Sequence, residues 1–203
     1  MPQWTLAFNF TCLPALLYAQ PFNAPSDTVD AVAAISSIDW LCAPLVGVSQ
    51  IFVVQSPLSG GIILAGIATY SRGCAAHTLL GSSVGIMTGL AMGAPPDALC
   101  AGLWSFNPAL TSLAVSVFFV SSPATMALSI GGAATTTVLA AGIGPVFGAF
   151  GSPALTLPFC LGVSACYMLQ DSVPALQPAA NPHSPEMNGP AEEAVAAAEE
   201  EAR

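Results

Sequence analysis

Residues 123–150 read PATMALSIGGAATTTVLAAGIGPVFGAF, a stretch of 28 positions without a charged side chain. A helix needs about 20 mostly apolar residues to cross the hydrocarbon core of a bilayer. This stretch is therefore long enough for one span, and Pro145 near its end predicts a kink. Its many Gly, Ala, Ser and Thr residues are typical of membrane helices that pack closely against one another.

Further apolar segments lie on both sides of this stretch. The segment at 38–54 is interrupted by Pro44, Gly47 and Gln50, which is typical of a re-entrant or discontinuous helix. The other segments are more continuous and predict spans at 4–19, 57–70, 75–94, 98–119 and 153–170. The sequence therefore predicts an all-α polytopic membrane protein with about six transmembrane helices and one re-entrant helix.

The composition agrees with a membrane location. Hydrophobic residues make up 54% of the chain and charged residues only 6%, with a mean hydropathy of +0.73, whereas a soluble domain carries about 25% charged residues. The net charge is −9, but seven of the eleven acidic residues lie from Asp171 onward. With its frequent prolines, the segment at 171–203 predicts a disordered acidic tail.

Several functional classes are disfavoured by what the sequence contains. There is no basic patch for nucleic acid, no carboxylate pair or nucleophile motif for an enzyme, and no spacing for a metal site. The six cysteines lie in or beside apolar runs and are interpreted as small buried hydrophobes. Because the predicted spans lack acidic residues, which mark ion-coupled pumps, we expect a passive path for a neutral solute and no cofactor.

Two short motifs repeat at an offset of 151 positions. Residues 1–8 read MPQWTLAF and residues 152–159 read SPALTLPF, so Pro, Thr, Leu and Phe coincide. Each copy opens an apolar segment, which indicates a duplicated architecture. With an odd number of crossings per repeat, successive repeats would be inverted in the membrane, as recurs in transporters.

These motifs resemble the signature Leu-Pro-x-x-Thr-x-Pro-Phe, which the urea transporters carry once in each homologous half. The second copy differs from it at Ser152, and the first copy differs at Met1 and Ala7. Residues 47–62 (GVSQIFVVQSPLSGGI) resemble the pore-helix region of that family. Residues 102–115 (GLWSFNPALTSLAV) resemble its Gly-Leu-aromatic-Gly-Phe-Asn motif, with Ser105 for the second Gly. The resemblance covers residues 1–170 in order and spacing.

The resemblance implies a fold of two inverted halves, each with five spans and a re-entrant pore helix. It also implies a multi-pass location in the plasma membrane, assembly as trimers, and channel-like transport of urea through each subunit. In this scheme, residues 1–19 are the last helix of a first half, 20–37 a loop and 38–170 the second half. Most of the first half has no counterpart, so we expect a truncated transporter or a half-transporter.

Gln50 is the first candidate to line the pore, because a primary amide offers both a donor and an acceptor to urea. The hydroxyls of Thr156 and Thr5 are candidates to replace one water of a passing solute. Each has a structural alternative. The alternative role for Gln50 is to hold helices together through its amide. The alternative for the threonines is to satisfy carbonyl groups that a nearby proline leaves free.

Aromatic side chains are candidates to form slots around a flat solute, although most aromatics in apolar helices only fill space. These candidates are Phe8, Phe52 and Phe159. The resemblance places Leu103, Phe106 and Asn107 near the pore as well. Asn107 precedes Pro108, and the sequence favours a helix break there that the Asn side chain caps.

Two alternatives to urea transport remain open at this point. The chain could be a non-transporting membrane subunit that associates with full-length relatives. It could also form a pore for another small neutral solute, such as ammonia or water.

Overall fold

The computed structural model describes residues 4–19 and 35–189. Within these ranges the chain forms eight α-helices and a short 3-10 turn, and its only β-type pairing is one isolated bridge between Phe119 and Pro178. The helices are α1 (Leu6–Ala19), α2 (Ser37–Gln50), α3 (Pro57–Tyr70), α4 (Arg72–Ala91), α5 (Pro96–Cys100), α6 (Phe106–Phe118), α7 (Pro123–Gly148) and α8 (Leu157–Met168).

Serine caps begin four of these helices. Ser36, Ser56, Ser71 and Ser122 each accept a hydrogen bond from the backbone N–H three residues later, which satisfies one of the free donors of a first turn. Asp39 completes a reciprocal capping box with Ser36. The starts of these helices are therefore encoded locally, at serines that interrupt the apolar runs.

The centre of the described bundle is formed by α4, α6 and α7, which pack through small residues. Gly81 and Gly85 of α4 lie against Pro108 of α6, and a side chain on either glycine would collide with that helix. Most buried polar residues of these helices are small hydroxyl side chains, among them Thr78, Ser82, Thr111, Ser112, Thr136 and Thr137. Close backbone approach of this kind is how helices associate in a bilayer, where lipid is as apolar as the side chains.

Most predicted apolar segments correspond to helices. The segment at 57–70 matches α3, and those at 123–150 and 153–170 contain α7 and α8. The segment at 75–94 overlaps α4, which begins and ends three residues earlier. Among the described residues, two helices, α4 and α7, are long and apolar enough to cross a membrane, and Leu6–Leu16, α3 and α6 are shorter apolar helices. The number of spans and the re-entrant course of α2 remain predictions.

The prediction of one continuous span at 98–119 is wrong. The chain forms α5, turns at residues 101–105 and starts again as α6. Gly102 has a φ of +78°, and a Cβ there would lie 2.9 Å from the backbone of α2. Glycine adopts a left-handed backbone without strain and has no side chain to collide with α2. Gly102 therefore allows the chain to turn against α2, directly after the end of α5.

Residues 171–189 lie against the ends of helices, whereas the sequence predicts a disordered tail there. Glu186 accepts hydrogen bonds from the Ser71 hydroxyl and the Gly73 N–H, both 2.6 Å, at the start of α4. These bonds, the Ser71 bond first, lower the pKa of Glu186 to about 2. Asn188 donates to the Val117 carbonyl at 2.7 Å. Proline content excludes regular structure but not such contacts.

Candidate functional site

A cavity of about 370 Å³ lies where the end of α2, the turn before α6 and the start of α8 meet. Because one water occupies about 30 Å³ of liquid, this volume can hold a small solute together with several waters. No lining residue carries a charge. The lining residues are Phe8, Gln50, Ile51, Val53, Leu103, Phe106, Asn107, Ala140, Gly144, Pro153, Ala154, Leu155, Thr156 and Pro158.

Gln50, the last residue of α2, is the first of three polar side chains in this wall. Its Nε2 donates to the Ala101 carbonyl at 2.8 Å, across the turn that precedes α6. Its Oε1 accepts no hydrogen bond within the described ranges, and the residue lines the cavity. The Gln50 amide is therefore held through its nitrogen, and its oxygen is left as a hydrogen-bond acceptor.

Asn107 is the second polar side chain and is buried in the first turn of α6. Its Nδ2 donates to the Leu155 carbonyl at 3.1 Å, and its Oδ1 has no partner among the described residues. The predicted cap is wrong, because α6 begins at Phe106 and shows no side-chain cap. The side chain instead joins α6 to the loop before α8.

Thr156 is the third, and its Oγ1 lies 2.8 Å from the Oγ1 of Thr5. These are the matching positions of the two sequence motifs. Trp4 and Leu155, which precede them, both have a left-handed backbone, with φ of 49° and 50°. α1 and α8 begin at the residue directly after the threonine in each copy. The two copies of the repeat thus share this left-handed residue and a helix that starts directly after the threonine, and they meet at the threonines.

Two further residues complete this contact. Asn9 donates to Thr156 Oγ1 at 3.1 Å, and the Cys160 Sγ lies 3.1 Å from Thr5 Oγ1. Asn9 and Cys160 are themselves matching positions, 151 residues apart. The residue after each motif thus contacts the threonine of the other motif. A local two-fold axis through the threonine pair would produce this arrangement.

The predicted aromatic residues lie in different places. Phe8 and Phe106 line the cavity, with Phe8 49% exposed. Phe159 is only 5% exposed and packs in the core, 6.2 Å from the Trp4 ring between ring centroids. Phe52 is 63% exposed and does not line the cavity. Thr5 does not line the cavity, but it contacts Thr156, which does.

The family model described as "Urea transporter" matches residues 1–171 of the chain.

The chain belongs to the urea transporter family.

Individual relatives agree with this membership. Urea transporter 1 of Ovis aries is 32% identical over 185 residues, and that of Capra hircus is 33% identical over 186. Urea transporter 1 of Mus musculus is 29% identical over 185 residues. Each comparison covers 86% of the chain and 48% of the relative, so the chain spans about half the length of these relatives. Urea transporter family proteins are integral membrane proteins.

Some residues that line or support this cavity were not predicted from the sequence. Asn9 directly follows the first motif, and its position beside Phe8 is the signal that was available. Ala140 and Gly144 are spaced by four residues on α7, which puts them on one helix face toward the cavity. Small apolar residues give no chemical signal, and only the fold identifies them as part of the wall.

Proposed function

We propose that the chain forms a wall of a passive path for urea across the membrane. The observation that carries the proposal is the cavity, in which three uncharged polar side chains stand among apolar walls. Gln50 Oε1 lacks a partner among the described residues, so it can accept from an N–H group. Urea carries such groups on both nitrogens, and its carbonyl can accept from a hydroxyl such as that of Thr156.

The absence of charge from the lining supports a neutral solute. A charged side chain would attract counter-ions and hold water strongly, whereas amides and hydroxyls exchange partners with a passing neutral molecule at modest cost. The proposal includes the finer features implied by the family: inverted halves, a re-entrant α2, a trimer with one path per subunit, and the plasma membrane.

The roles within the path follow from position. Gln50 accepts from the solute, Thr156 also bonds to it, and Phe8 with Phe106 and Leu103 limits its width. Asn107, whose Oδ1 is buried, holds the loop before α8 through its bond to the Leu155 carbonyl. Phe52, Thr5 and Phe159 do not line the cavity, and we assign Thr5 and Phe159 to the support of the wall. The packing of Phe159 against Trp4 and the Thr5–Thr156 hydrogen bond favour this supporting role.

The test is urea flux into liposomes that contain the protein. Replacing Gln50 with Leu removes the acceptor and leaves the Ala101 carbonyl unpaired; each unpaired buried group costs about 1–3 kcal/mol. We expect urea flux to fall by at least about tenfold. Gln55→Leu, in the turn after α2 and not in the lining, is the matched control and should retain flux.

Three outcomes separate the alternatives. Undiminished urea flux in Gln50→Leu would contradict the assignment. Flux of ammonia or water without urea would favour a pore for another neutral solute. Co-purification with full-length relatives, without any flux, would favour a non-transporting subunit.

A further inference from the structure

The contact between the two motifs is asymmetric at one position. The first motif is followed by Asn9 and the second is followed by Cys160 at the matching position. Asn9 is 2% exposed, and its Nδ2 donates both to the Thr5 carbonyl and to Thr156 Oγ1, each at 3.1 Å. An amide buried at this depth with two such bonds has a fixed orientation.

The orientation of the Asn9 amide follows from its partners. A backbone carbonyl only accepts hydrogen bonds, so the nitrogen of the amide, and not its oxygen, must face Thr5. The same nitrogen is the nearer atom to Thr156, at 3.1 Å against 3.4 Å for Oδ1. An O–H···O bond is usually 2.5–3.0 Å, so the longer contact is the weaker one. Thr156 therefore accepts from Asn9.

The Thr5 hydroxyl has a choice between two acceptors. It lies 2.8 Å from Thr156 Oγ1 and 3.1 Å from the Cys160 sulfur. A thiol sulfur is a weak acceptor and a hydroxyl oxygen a good one, so the Thr5 hydrogen is better placed on Thr156. Both acceptor sites of Thr156 are then filled, by Asn9 and by Thr5.

A hydroxyl has one hydrogen to donate and two acceptor sites. With both acceptor sites of Thr156 occupied, its hydrogen is left for the cavity that it lines. We infer that Asn9 is a positioning residue, which makes Thr156 a hydrogen-bond donor to the carbonyl oxygen of the solute. This inference rests on the proposed function and adds a basis for selecting carbonyl-containing solutes. A thiol at position 9 would leave the threonine pair free to share its hydrogens in either direction.

The experiment compares the flux of urea and of thiourea, whose sulfur accepts hydrogen bonds more weakly than the urea oxygen. Asn9→Cys gives both motifs the same residue. The net value of one hydrogen bond corresponds to a factor of roughly 5, so we expect the urea-to-thiourea flux ratio to fall roughly fivefold. The ratio does not depend on how much protein inserts, so a merely structural role of Asn9 would lower both fluxes and leave it unchanged.

Thr11→Ala on the same helix is the control, because the Thr11 hydroxyl bonds only to carbonyl groups of α1 within the described ranges. It should keep the ratio of the unsubstituted protein. If Asn9→Cys does not insert, Asn9→Ser serves instead, since its hydroxyl is one bond too short to reach Thr156. An unchanged ratio with persisting flux in either Asn9 variant overturns the inference, whereas absence of urea flux from the unsubstituted protein contradicts the proposed function itself.

Discussion

At the start of α1, Phe8 lies half exposed beside the cavity, whereas at the start of α8 the matching Phe159 is buried in the core. Likewise Thr156 lines the cavity and Thr5 does not. Yet both copies have a left-handed residue before the threonine and a helix that starts directly after it. The two copies therefore share this local backbone. Whether a side chain lines the cavity or packs in the core depends on the residues around each copy.

The largest expected effect separates the two phenylalanines. Phe159→Ala removes a buried ring that packs against Trp4, and large-to-small core changes of this kind cost roughly 3 kcal/mol. Phe8→Ala removes a half-exposed ring and should change the unfolding free energy far less while it alters solute selectivity. Thermal unfolding in detergent, together with urea flux, measures both. Equal losses of stability would show that the two copies have equivalent surroundings after all.

Substitution of Thr156 and substitution of Thr5 should differ in their effect on urea flux. Thr156→Val removes a hydroxyl from the cavity, and we expect urea flux to fall about tenfold, which corresponds to about 1.4 kcal/mol. Thr5→Val removes only a neighbour of that hydroxyl and should lower flux roughly twofold to threefold. Stopped-flow measurement of urea uptake into liposomes compares the two variants. A larger loss in Thr5→Val would reverse the assignment of lining and support.

The smallest effect tests the shared backbone. Glycine adopts the left-handed conformation without strain, and the strain of another residue there costs on the order of 1 kcal/mol. Leu155→Gly should therefore be more stable than Leu155→Ala by about 1 kcal/mol, although both remove the side chain. The same difference is expected between Trp4→Gly and Trp4→Ala. A difference at only one position would mean that the copies do not share this geometry in the membrane.

The apolar segments predicted much of the fold because few residues other than Gly, Pro and Ser interrupt them. The predicted segments at 57–70 and 123–150 begin where α3 and α7 begin, each directly after a capping serine. The turn at 101–105 was missed because its apolar composition continues across Gly102, and hydrophobicity does not report a positive φ. Contacts of the 171–189 segment were missed because they depend on single side chains such as Glu186 meeting a helix start.

The candidate site was predicted in part. Gln50 and Thr156 were recognised because a polar side chain stands out in an apolar run, and both line the cavity. Phe159 and Phe52 were assigned to the pore from residue type alone, and residue type does not distinguish a buried ring from a lining one. Asn9 was overlooked since its importance comes from a partner 147 positions away in the sequence.

The contacts of the C-terminal segment also relate helix ends to the two sides of the membrane. Glu186 bonds to the start of α4, Asn188 bonds to the end of α6, and His183 stacks on Tyr70 at the end of α3. Groups in such direct contact lie on the same side of a bilayer. A membrane-impermeant label attached at position 183 would therefore report, in one measurement, on which side all three helix ends emerge.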